Sequence, residues 1–123
     1  MSKIVTAINA MISNSEAITS VIQGEMESEY FFTYDRKHSW SMHENSDQKL
    51  FLHYYPGGQD IVALSKIPDF AWHEENIKMV TYTSEVLGTK EAKDSMKELY
   101  AILEEKAYGM DDILEEIIGT GKF

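Results

Sequence analysis

The chain has no cysteine among its 123 residues, which rules out disulfides, thiolate metal sites and cysteine nucleophiles together. Proline is scarce as well: Pro56 and Pro68 are the two copies, so most of the sequence is free of the residue that breaks helices and central strands. No apolar run approaches the length needed to cross a bilayer. The segment after Met1-Ser2-Lys3 is interrupted by Asn9, Ser13, Asn14 and Ser15, unlike the unbroken apolar region of a signal peptide. These absences lead to the expectation of a cytoplasmic protein that does not engage a membrane. Positive charge is also in short supply, with eleven Lys and Arg against twenty-one Asp and Glu and a net charge of −10. A field of that sign repels phosphate backbones, so direct nucleic-acid binding is not expected, whereas a basic protein partner would be steered in. The acids are unevenly spread: only Lys106 opposes seven of them between Glu98 and Glu116.

What is present is enough apolar material, 43% of the residues, to build one core, and a single α+β domain over residues 1–123 is expected. Ile4, Ile8, Met11, Ile12, Ile18 and Ile22 recur mostly at three- and four-residue spacing, which predicts an amphipathic helix over residues 4–22. Aromatic-rich segments at 29–35, 38–44 and 49–55 read as strands, separated by the turn-forming clusters Asp35-Arg36-Lys37 and Asn45-Ser46-Asp47-Gln48. Residues 60–65 after Pro56-Gly57-Gly58 and residues 77–85 complete a five-stranded, mainly antiparallel meander. Thr89 is a plausible N-cap for a helix over 90–107, and Asp111 or Asp112 for a last helix ending near Ile118, with Ile113, Leu114, Ile117 and Ile118 turned toward the body of the protein.

Loops of two or four residues between the strands would pair Met42 with Phe51 and Trp40 with His53. One sheet face then carries Phe31, Trp40, Phe51 and His53 beneath the helices, and the other carries Tyr30, Phe32, Tyr34 and Tyr54. Neither face is polar, so both need a cover. Tyrosine combines an apolar body with a polar tip, which makes Tyr30, Phe32, Tyr34 and Tyr54 the candidate surface for a protein partner or for a homodimer. Trp40, His53, Phe70 and Trp72 are the candidate lining of a small-molecule pocket between sheet and helices.

Catalytic and metal signatures are wanting. The four histidines have no ligand spacing, and His73-Glu74-Glu75-Asn76 lacks the second histidine of a zinc-protease helix. Asp111/Glu115 and Asp112/Glu116 stand one helical turn apart, an arrangement that a solvated acidic face explains. The terminal Gly119-Thr120-Gly121-Lys122 has no Gly-rich loop before it and is not a phosphate loop. No catalytic residue, metal or cofactor is therefore assigned. The expected function is that of a small acidic protein-binding module; in size, charge and element order the chain resembles bacterial immunity proteins and effector-secretion chaperones. The alternatives are a small-molecule-binding protein or enzyme with an aromatic pocket, and an acidic mimic of nucleic acid.

Overall fold

A computed structural model describes residues 3–24, 28–57, 60–66 and 78–120. The architecture is an amino-terminal helix, a five-stranded antiparallel meander in the order β1-β2-β3-β4-β5, and helices at the carboxyl end. Helix α1 spans Lys3–Ser13 and stops well short of residue 22. Asn14 ends it, its backbone and side-chain nitrogens both donating to the Ala10 carbonyl, and a single 3-10 turn, Ser15–Ala17, redirects the chain. Ile18 and Ile22 belong to β1, Ile18–Gln23, where β-branched residues predominate. Its pairing with β2 shifts between Ile18 and Ser20, a bulge that leaves Ile18 and Val21 both packed on the core side.

Strands β2 (Glu29–Tyr34), β3 (His38–Glu44) and β4 (Leu50–Tyr54) lie where the aromatic segments predicted them. The fourth predicted strand is instead a short helix, α2, Ile61–Ser65. Asp60 caps it by accepting from the Val62 amide, and Ile61 and Leu64, one turn apart, are its buried residues. The last strand, β5, is Val80–Thr83, and Thr83 at once caps the four-residue helix α3, Ser84–Leu87. Helix α4, Lys90–Ala107, is capped by the Thr89 hydroxyl, which accepts from the Ala92 amide at 3.1 Å. Helix α5 follows as Met110–Thr120 and runs through Gly119.

The pairings differ from the expected ones by a single residue. Met42 is opposite Leu52 and Trp40 is opposite Tyr54, because the β3–β4 connection holds five residues. The β2–β3 connection holds three, with Asp35 and Arg36 at positive φ, which places Phe32 opposite Trp40. Tyr30, Phe32, Trp40, Met42, Leu50 and Leu52 therefore share one face, and that face is the one covered by α1 and α4. Ile8 and Met11 from α1 and Met96, Leu99 and Leu103 from α4 complete this core, each such buried side chain contributing about 1.5–3 kcal/mol. The opposite face is covered in part by α2, with Phe31, Tyr55, Ile61 and Leu64 forming a second cluster.

Candidate functional site

Three places on this frame bring chemistry together. The first lies on the covered face, at the end of the sheet where α1 offers little bulk. Ala7 and Ala10 supply only methyl groups to the wall of a cavity of about 370 Å³, which is completed by Met11, Tyr34, His38, Trp40, Tyr54, Val80 and Tyr82. The rings are held in place by one another: Trp40 tilts on Tyr54 at 4.8 Å between centroids and lies parallel to Phe32 at 6.4 Å. His38 Nδ1 and the Tyr54 hydroxyl share a hydrogen bond of 3.1 Å. The Trp40 indole N–H is buried and has no acceptor among the described residues. An unmet buried donor of this kind costs about 1–3 kcal/mol.

The second place is the carboxyl-terminal helix. The expectation that α5 turns its apolar side to the body does not hold: Ile113, Leu114, Ile117 and Ile118 are 43%, 46%, 59% and 64% exposed. The helix packs against α4, and between this pair and β1 runs a groove of about 530 Å³. Ile18, Val21, Ile102 and Leu114 give it apolar lining, while Glu16, Glu105 and Asp112 add three acids and Lys106 one base. Exposed apolar residues in such a cluster, rather than singly, mark surfaces that meet something.

The third is the histidine row on the far face. His53 Nδ1 meets the Thr81 hydroxyl at 2.9 Å and His53 Nε2 meets His43 Nδ1 at 3.2 Å, so both ring nitrogens of this buried side chain are engaged. His43 stacks flat on Phe51 at 4.7 Å. Burial, and then the neighbouring His43, push the His53 pKa down to about 4. A neutral imidazole already bonded at both nitrogens is a packing element of the sheet. Nearby, the Ser41 and Tyr55 hydroxyls bond at 2.6 Å, and burial drives the Tyr55 phenol above its usual range. Among the described residues no group of three or more His, Cys, Asp and Glu is placed to hold a metal ion.

The residues singled out from sequence fall on different sides of this arrangement. Tyr30 and Phe32, taken for an open partner face, are core residues at 2% and 0% exposure beneath the helices. Tyr34 and Tyr54, from the same set, line the aromatic cavity, as does Trp40 from the pocket set. His53 is on the opposite face from Trp40, separated from it by the one-residue difference in pairing, and Phe70 and Trp72 lie outside the described residues. The α5 ridge is not legible as a surface in the sequence, because an amphipathic pattern shows that a helix has an apolar side without showing whether anything lies on it. No described helix is long and apolar enough to cross a membrane. Compared with protein-family models, with curated proteins and with solved structures, the chain matches none of them.

Proposed function

We propose that this protein is a small acidic protein-binding module, and that its docking surface is the α5 ridge together with the groove between α5, α4 and β1. The observation that carries this reading is the exposure of four large aliphatic side chains on one short helix. The partner it fits is a basic amphipathic helix. Its apolar stripe meets Ile113, Leu114, Ile117 and Ile118, and its basic flanks meet Glu16, Glu105 and Asp112. An added strand suits the site less, since the bulge in β1 breaks the regular ladder that strand addition would extend. A second copy of the chain suits it less as well. Two copies each carrying a net charge of −10 repel one another, whereas a basic helix is attracted. The homodimer expected from the sequence needs an open tyrosine face, and Tyr30 and Phe32 of that face are buried within the chain.

A synthetic helical peptide with leucines at positions i, i+3, i+4 and i+7 and lysines elsewhere is the probe, with a glutamate-for-lysine version as control. Saturable binding of the lysine peptide, followed by fluorescence anisotropy, is expected, with no binding of the glutamate peptide. Ile117→Ser combined with Ile118→Ser is expected to weaken it by about tenfold or more while leaving the melting temperature unchanged. Equal affinity of the variant, or equal binding of the two peptides, overturns the proposal. So does a stable dimer in light scattering that the same double variant dissociates.

A further inference from the structure

The aromatic cavity under α1 is separate from the α5 surface and is built differently. We infer that it is a binding site for a small, uncharged, planar ring compound carrying a hydrogen-bond acceptor. Its volume, about 370 Å³, falls at the small end of the roughly 300–1,000 Å³ typical of ligand cavities. Tyr34, Trp40, Tyr54 and Tyr82 present aromatic surface, which favours a flat ring through offset and edge-to-face contact. No Lys, Arg, Asp or Glu is among its described lining residues, so an ion entering it would lose hydration with little counter-charge in return. The acceptor is called for by Tyr54 and His38, which both line the cavity and spend one hydrogen on the bond between them, leaving at least one donor. The two alanines explain why there is room: larger residues at 7 and 10 would fill the space between α1 and the rings.

Coumarin, naphthalene and coumarin-3-carboxylate separate the parts of this inference, since they share a bicyclic ring and differ in acceptor and charge. Titrations of the full chain by calorimetry, with melting curves alongside, are expected to show saturable coumarin binding that raises the melting temperature. Naphthalene and the carboxylate are each expected to bind about tenfold more weakly, for want of the acceptor and because of the charge. Tyr54→Phe, which keeps the ring and removes the hydroxyl, should then reduce the coumarin-over-naphthalene preference, a readout that mere loosening of the core does not mimic. Ala10→Leu, on an exposed helix position that tolerates leucine, should abolish binding and leave the protein folded. Absence of saturable coumarin binding at millimolar concentration overturns the site, and so does binding that survives both Ala10→Leu and Ala7→Leu. Equal affinity for coumarin and its carboxylate overturns the uncharged class, and an unchanged preference in Tyr54→Phe overturns the role of the hydroxyl.

Discussion

His53 is held between Thr81 and His43 in a row of side chains with little access to water, and its protonation is opposed first by burial and then by the second imidazole. The folded pKa of about 4 lies below the ordinary value of 6.5. The unfolded chain therefore binds a proton at His53 that the folded chain refuses between these two values. Stability from this group is complete above pH 6.5, declines as the pH falls toward 4, and has nothing more to lose below that. Integrated over the interval, the loss is about 3 kcal/mol. Carboxylates begin to titrate near the bottom of the same window, so the expected outcome is a difference between two proteins. Urea unfolding at pH 7 and at pH 4 should show a smaller acid loss for His53→Gln than for the parent chain. Parallel losses in the two proteins would mean that His53 does not carry the effect.

At the scale of elements, the connections decide what the strands display. The loop after β3 contains an Asn45 side chain that accepts from the amides of Asp47 and Lys49, a turn closed from Gln48 N to the Asn45 carbonyl, and Gln48 at φ 62°. A residue with a Cβ is strained in the left-handed region. Gln48→Gly is thus expected to raise stability by about 0.5–1 kcal/mol in denaturant unfolding, and a loss would show that the glutamine side chain matters more than the strain. The same loop explains what the sequence could and could not disclose. Strands β2, β3 and β4 were legible because aromatic and β-branched residues cluster there, and α4 because its threonine cap and apolar stripe agree. The two hairpin connections hold three and five residues where two or four were expected, and each odd count shifts the pairing by one. Across the sheet the two shifts cancel, so β2 and β4 were correctly grouped and β3 alone was turned over. That one strand decides the outcome: in the observed register Trp40 and Met42 join Tyr30 and Phe32 in the core, and no open tyrosine face is left. β1 was hidden for a related reason: its bulge puts Ile18 and Val21 on one side at a three-residue spacing that a helix also gives. The segment 60–65 is too short for period alone to separate strand from helix, and the Asp60 cap settles it.

At the scale of the whole molecule, the net charge of −10 acts on folding and on the proposed docking surface in opposite directions. Concentrating like charges opposes the compact state, while the same concentration attracts a basic helix. Glu16 and Glu105 sit on the rim of the α5 groove, and Glu105 also lies in the last turn of α4, where the helix dipole disfavours an acid. Their replacement in the double variant Glu16→Gln/Glu105→Gln removes repulsion and removes attraction in one step. The melting temperature at low salt is expected to rise slightly. Affinity for the lysine peptide is expected to fall by about three- to tenfold, in line with the modest worth of exposed charges. Raising the salt shortens the screening length from about 10 Å at 0.1 M to about 3 Å at 1 M, so both differences between variant and parent should shrink together. If the variant binds the peptide as well as the parent at low salt, the acids around the groove serve solubility alone and the α5 ridge selects its partner by apolar contact. If binding falls and stability rises, the surplus of negative charge near this helix is a stability cost that the docking surface retains.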